Sequence, residues 1–281
     1  MRLAARLKGR VRVLALTSSA SRAPLLRQQG VLPIRGNLDQ PATLRRLAGL
    51  ATRLVHLAPP ASEGWHDQRT RVLVHALRLR SQPAAVVYAS TSGVYGNCAG
   101  QWVDETQRRQ PETPRARRRV DAEESIRFWG RSAAIPTPIL RVPGIYAPNR
   151  EGGTPEARLR KATPVLCAQD DVYTNHIHAD DLARACLLAI WRGQAQRAYN
   201  VNDDTCLKMG DYFDLAADLY GLPRPPRVAR EDAGKHLSVM LLSFMQESRR
   251  MLNRRMKREL GLRLHYPTVA QGLQPLHLSV S

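Results

Sequence analysis

The chain has 281 residues and carries 43 Lys+Arg against 24 Asp+Glu, a formal charge of +19. Its 43% hydrophobic fraction matches globular usage and excludes intrinsic disorder, and the length suits one large α/β domain with an annex. The longest apolar runs, such as residues 185–191, fall short of the roughly 18–20 residues of a membrane span, and Arg2, Arg6, Lys8 and Arg10 interrupt the stretch where a secretory leader needs its apolar core. A cytoplasmic protein is expected. The positive charge is nearly all Arg and is spread along the chain, and aromatics are only 5%, which leaves little for base stacking and argues against a nucleic-acid partner. Cys98, Cys167, Cys186 and Cys206 are scattered, with no C-x-x-C and no zinc spacing, so free thiols and no metal site are expected.

Apolar strand-like runs alternate with amphipathic helical ones along the chain, the pattern of a parallel α/β sheet. Residues 2–7 read as helix and residues 11–16 (V-R-V-L-A-L) as a strand ending at Thr17-Ser18-Ser19. A second strand over residues 53–57 is halted by Ala58-Pro59-Pro60, and residues 67–80 place Val72, Leu73, Ala76, Leu77 and Leu79 at helical spacing. Buried strands follow over residues 84–89 and 138–142. Asp180 and Asp181 suit the N-cap and first turn of a helix running to Trp191. A helix over residues 210–220 stops at Gly221, with Pro223 beyond it. After a Pro-rich connector, residues 249–260 read as a strongly basic helix ended by Gly261.

Several segments, in order, resemble the extended short-chain dehydrogenase/reductase superfamily, the NAD(P)-dependent sugar-nucleotide epimerases and dehydratases. Residues 88–96, Y-A-S-T-S-G-V-Y-G, are similar to the strand and loop that present the family's catalytic Ser/Thr, here Thr91. Residues 140–147, L-R-V-P-G-I-Y-A, resemble the loop that covers the nicotinamide. The H-I-H-A-D-D-L of residues 176–182 is similar to a structural family segment, so His176 and His178 are not expected to bind metal. Y-N-V-N-D (199–203) resembles the strand after it, and Gly36-Asn37-Leu38 the turn beside the adenine. The resemblance implies a Rossmann-type, doubly wound parallel sheet with a small C-terminal substrate lobe. Residues 1–148, with about 173–198, would form an NAD(P)-binding domain incomplete at its N-terminus; residues 149–172 and 199–281 would form the lobe.

Two departures bear on function. The fold's G-x-G-x-x-G turn, whose glycines let the backbone approach the pyrophosphate, occurs nowhere in the sequence. The first strand and glycine turn would then lie upstream of Met1, by a mis-assigned start or by true loss. Loss would leave backbone groups unpaired in the centre of the sheet. The family's acid/base is a Y-x-x-x-K pair on a helix; anchoring on V-D-A-E (120–123) puts Arg115 at the Tyr and Arg119 at the Lys. Guanidinium does not deprotonate near neutral pH, so Arg115 is no general base, whereas Arg119 retains donors for a ribose. The run Arg115, Arg117, Arg118 and Arg119 reads as a solvated face paired with Glu123 and Glu124, or as a site for a substrate phosphate.

The resemblance carries Thr91, Arg119 and Tyr95 as catalytic candidates. It carries Ser18, Arg22, Asn37, Leu38, Leu57, Ala58, Pro59, Pro143, Gly144 and Ile145 as cofactor contacts. The turn Thr17-Ser18-Ser19-Ala20-Ser21-Arg22 offers hydroxyls and one Arg but no carboxylate, which favours the 2′-phosphate of NADP over NAD. The expected function is an NAD(P)-dependent oxidoreductase or epimerase-like protein on a small, sugar-like or nucleotide-linked substrate, with room for a homodimer. A non-catalytic dinucleotide-binding or scaffold protein is the alternative that the missing Tyr supports.

Overall fold

The computed structural model describes residues 1–274; residues 275–281 of the expected lobe lie outside the described part. The chain begins with α1 (Arg2–Leu7), β1 (Val13–Thr17), α2 (Arg22–Gln28) and β2 (Val31–Arg35). A 3-10 turn over Pro41–Leu47 leads to β3 (Arg53–His56), α3 (Gln68–Leu77) and β4 (Ala85–Thr91). A second 3-10 turn, Ser92–Tyr95, leads to β5 (Trp102–Val103) and α4 (Pro114–Ser132). Then come β6 (Ile139–Val142), β7 (Gly144–Tyr146), α5 (Glu156–Arg160), β8 (Val165–Leu166), β9 (Tyr173–Thr174) and β10 (His176–His178). Next are α6 (Ala179–Arg192), β11 (Ala198–Asn200), β12 (Leu207–Lys208), α7 (Met209–Tyr220) and β13 (Arg227–Val228). The last elements are α8 (Arg230–His236), α9 (Val239–Phe244), β14 (Arg250–Met251), α10 (Arg254–Glu259) and α11 (Val269–Gly272).

The main sheet is parallel, in the order β11-β6-β4-β3. Alternation along its strands sends side chains to two faces, and each face is covered by helices. Val86, Tyr88, Ile139 and Ala198 point to a core completed by Leu73, Val74 and Leu77 of α3 and Ala122, Ile126 and Trp129 of α4. Ala85, Val87, Leu140, Val142 and Tyr199 point the other way, onto Ala185, Cys186, Ala189 and Ile190 of α6 and Met256 of α10. The sheet is therefore doubly wound, as expected. A third core, with Tyr146, Leu159, Leu166, Tyr212, Phe213, Met245 and Leu273, fills a C-terminal lobe.

The lobe departs from its expected limits. β11 spans the boundary at residue 199 and is the edge strand of the main sheet, and Met256, Leu260 and Leu262 pack beneath that sheet. The basic helix expected over residues 249–260 is also divided. Arg250 and Met251 are drawn into a parallel pair with Trp102 and Val103, and only Arg254–Glu259 is helical, ending before Gly261 at φ 67°. The pairing uses long-range partners that helical periodicity does not reveal. The cap of α6 is His178, whose ring accepts from Asp180 N at 3.2 Å, with Asp180 and Asp181 in the first turn.

β1 and β2 form a separate parallel pair, from Val13 opposite Val31 to Thr17 opposite Arg35. Among the described residues, the second edges of β1 and β3 have no partner strand. All five residues of β1 are only half-buried, whereas β4 and β6 lie almost wholly in the core. A two-stranded pair is marginal without further packing. Amide hydrogen exchange should thus show β1 protected at least tenfold less than β4 and β6; equal protection would mean that β1 is held as firmly as the main sheet.

Candidate active site

β4 ends on Thr91, which caps the following 3-10 turn by accepting from Gly93 N at 3.3 Å. Thr91 is half-buried at the C-terminal end of the parallel sheet, the end where open α/β sheets bind ligands. A Cβ at Gly93 would stand 3.6 Å from Thr91 Cγ2, 3.6 Å from Ala116 Cβ and 3.8 Å from Glu247 Oε2. Thr91, the first turn of α4 and the chain before β14 thus converge on one point.

Glu247 is fixed there by its neighbours. Ser248 O accepts from Cys98 N and Gly100 N, both at 3.0 Å, and Ser248 N donates to Asn97 Oδ1 at 3.0 Å. Arg249 donates to Gly96 O at 2.7 Å and pairs with Glu247 at 2.8 Å.

Helix α4 starts at Thr113, whose hydroxyl accepts from Ala116 N, with Pro114 in the first turn. Arg115 is exposed, while Arg118 and Arg119 are buried. Arg119 Nη1 donates to Tyr88 OH and Ala89 O at 2.9 Å and to Ala58 O at 3.3 Å, tying α4 to the ends of β3 and β4. Its Nε–H is buried without a partner. Arg118 donates to Gly64 O at 2.7 Å.

Glu123 is wholly buried, so the solvated, paired face is corrected: only part of this run meets water. Glu123 accepts from Ser90 Oγ at 2.7 Å and from Arg141 Nε and Nη2 at 3.2 and 3.0 Å. Arg141 Nη1 also donates to Tyr95 OH at 2.9 Å, and that hydroxyl donates to Asn200 Oδ1 at 2.6 Å. This corrects the candidacy of Tyr95. Its side chain is fully buried with its hydroxyl committed, and burial, opposed by Arg141, pushes the phenol up to about 12. Tyr95 supports the Thr91 loop from beneath.

A second feature lies at the ends of β1 and β2. A cleft of about 380 Å³ is lined by Ser18, Arg35, Gly36, Asn37, Gln40, Thr43 and Arg46, with no carboxylate. Thr43 Oγ1 accepts from Asn37 N at 2.9 Å, and a Cβ at Gly36 would fall 2.8 Å from Leu16 Cδ1, so this turn takes only glycine without rearrangement. Ser18 and Asn37, expected from the sequence as cofactor contacts, line this cleft. Arg22 opens α2, exposed and outside the lining, and Arg35 and Arg46 supply the charge instead. Both lie on the two segments after α2, not on the turn after β1.

Leu38 packs on the α3/α4 core rather than lining the cleft. Leu57 is exposed, and Ala58 O and Pro59 O are acceptors for Arg119 and Arg69. Pro143 joins β6 to β7, whose first residues are Gly144 and Ile145; Gly144 N donates to Asn175 O, and Ile145 packs on the sheet core. His176 is buried, stacked at 4.2 Å on Tyr212, and burial lowers its pKa to about 4. His56, also deeply buried, shares a 2.9 Å hydrogen bond with Thr70 and is lowered to about 4, by burial first and Arg119 second.

The NAD dependent epimerase/dehydratase family model matches residues 2–202. The chain is similar to a functionally unknown conserved protein from Silicibacter pomeroyi, at 32% identity and TM-score 0.82, over 96% of this chain and 92% of that one. It shares its fold with the UDP-glucose 4-epimerase of Thermotoga maritima solved with UDP-glucose, at 17% identity and TM-score 0.79, over 97% and 92% of the two chains. It is 24% identical over 162 residues to the trifunctional UDP-glucose 4,6-dehydratase/UDP-4-keto-6-deoxy-D-glucose 3,5-epimerase/UDP-4-keto-L-rhamnose-reductase of Arabidopsis thaliana. That match covers 54% of this chain and about a quarter (24%) of the curated relative.

Two outcomes follow from these geometries. Glu123→Ala leaves Arg141 buried and unpaired, so urea unfolding should register a loss of about 3–5 kcal/mol, and a loss below about 1 kcal/mol would show the pair to be dispensable. His176 and His56 stay neutral in the folded chain down to about pH 4 but protonate near 6.5 once unfolded. Their stabilisation is complete above pH 6.5 and is lost as pH falls toward 4, up to about 3 kcal/mol each. His176→Phe should remove its share of that loss in a pH series of melts; an unchanged pH dependence would place its origin elsewhere.

Proposed function

The chain belongs to the NAD dependent epimerase/dehydratase family, and from that premise we propose that it is an NAD(P)-dependent oxidoreductase or epimerase-like protein acting on a small, sugar-like or nucleotide-linked substrate. The observation that carries this reading is the pairing of two features at the ends of parallel strands: the basic cleft beside β1 and β2, and Thr91 with Arg119 beyond β4.

The residues present fit the two ends of a dinucleotide. Ser18, Asn37 and Thr43 offer polar groups for an adenosine, and Arg35 and Arg46 flank them with charge suited to a 2′-phosphate. Arg119, with its buried free Nε–H, would hold the nicotinamide ribose. The chain's own sequence contains no glycine-rich turn for the pyrophosphate between these ends. When bound, the cofactor supplies a hydride donor or acceptor. Thr91 Oγ1 would then orient the substrate oxygen, and Pro143, Gly144 and Ile145 would cover the reacting face.

A second reading, a dinucleotide-binding protein without turnover, is favoured by one observation: Arg115, at the position of the acid/base, cannot exchange a proton near neutral pH. The same experiment tests both. In calorimetry NADPH should bind about tenfold more tightly than NADH, and Arg35→Ala or Arg46→Ala should narrow that gap by about 1 kcal/mol. Arg22→Ala should leave the gap unchanged. Equal affinities would remove the NADP preference. Hydride transfer to sugar nucleotides, reduced at least tenfold by Thr91→Ala, would support the enzyme; NADPH binding with no turnover would support the second reading.

A further inference from the structure

The charge around Thr91 is lopsided. Arg115, Arg118 and Arg119 crowd the first turns of α4, and Arg249 approaches from the chain before β14, its Nη2 3.5 Å from Ser92 Oγ. Arg118, Arg119 and Arg249 are each more than nine-tenths buried, and each leaves its Nε–H buried without a partner. Arg118 and Arg119 are satisfied only by uncharged oxygens: Gly64 O, Ala58 O, Ala89 O and Tyr88 OH. Arg249 alone has a carboxylate, Glu247 at 2.8 Å. Among the described residues, Arg115, Arg118 and Arg119 have no ion-paired carboxylate of their own.

Arg115 is the group free to use this field. Among the described residues it has no hydrogen bond or ion pair, and it is exposed, one residue before Ala116, whose Cβ lies 3.6 Å from where a Gly93 Cβ would stand. Partial desolvation lowers its pKa, Arg119 and Arg118 lower it further, and Glu247 raises it only in part. Like charges held together at partly desolvated positions raise the energy of the fold unless an anion offsets them. A guanidinium presents paired donors that match a carboxylate or a phosphate.

Building on the family-based reading above, we propose that the substrate of this site carries an anionic group, a carboxylate or a phosphate, and that Arg115 holds it beside Thr91. The residue at the position of the family's proton carrier thereby becomes a substrate-binding residue. Its donors reach the anion while Thr91 meets the reacting oxygen, so a neutral sugar would leave the positive excess without a counter-charge.

The test uses the whole chain in low-salt buffer, with malonate and inorganic phosphate as probes and sodium chloride at matched ionic strength as control. Wild type should gain several degrees in melting temperature from millimolar malonate or phosphate and little from chloride. Arg115→Gln should lose that gain, and without anions it should melt at or above the wild-type temperature because a like charge has been removed. Arg46→Ala, altered in the other basic cleft, should keep the malonate response. A response to malonate alone assigns a carboxylate, and to phosphate alone a phosphate. An anion response retained in Arg115→Gln, no response in wild type, or an anion-free Arg115→Gln that melts several degrees lower would each overturn the proposal. NADPH titrated in parallel separates the two readings. NADPH binding without an anion response sinks only this inference, and an anion response without NADPH binding sinks only the dinucleotide reading.

Discussion

The fully buried ion pair between Glu123 and Arg141 is the contact on which the site depends. It joins α4 to β6, and through Ser90 and Tyr95 it reaches the end of β4 and the turn that follows Thr91. Removing two charges from water is costly, and the cost is recovered only when every lone pair and proton finds a partner. Here Glu123 accepts from three donor atoms, Arg141 also serves Tyr95 OH and Glu105 O, and Tyr95 passes the chain on to Asn200. Asn200 N in turn donates to Glu105 Oε1 at 2.8 Å. The network makes the position of Thr91 a property of the core. An apolar core could not fix α4 against the loop with the same directionality.

The C-terminal segment completes this arrangement. Residues 247–251 bond to Gly96, Asn97, Cys98, Gly100 and Asn175, and the β5/β14 pair extends the contact. Glu247 and Arg249 therefore reach the surroundings of Thr91 from a part of the chain more than 150 residues beyond it in sequence. By contrast, the basic cleft near β1 rests on a two-stranded pair and a 3-10 turn. The two regions have unequal support: the Thr91 region is braced by the core, the basic cleft by local packing.

Much of the fold was legible because its signals are local. Alternating apolar runs marked β3, β4 and β6 to within two residues, and Gly221, at φ 61°, ended α7 as its position implied. The position of Thr91 at the end of β4 was legible through the motif around it. What could not be read depends on partners distant in sequence. Residues 250–251 fall in a basic run that reads as helix but are strand because Trp102–Val103 lies alongside. Tyr95 carries a plausible hydroxyl, and only the placement of Arg141 and Asn200 shows it committed to the core. Arg35 and Arg46 gain meaning from the cleft they share, and Glu247 from the lobe that delivers it.

If Arg115 and Arg119 stand where the family resemblance sets a Tyr and a Lys, α4 works with different physics. A lysine offers three donors from a point charge, whereas a guanidinium offers five in a plane and stays charged when buried. Arg119 uses that capacity to join Ala58 O, Tyr88 OH and Ala89 O with one nitrogen, bracing β3 against β4 at the mouth of the site. A proton carrier one turn earlier would have to sit in the field of Arg119 and Arg118 and cycle its charge there. Arg115 does not cycle; it adds to that field, which is sustained by neutral oxygens on one side and Glu247 on the other. Helix α4 thus carries a cluster of fixed positive charge beside Thr91, and on the proposal above the sign of what approaches Thr91 would set selectivity.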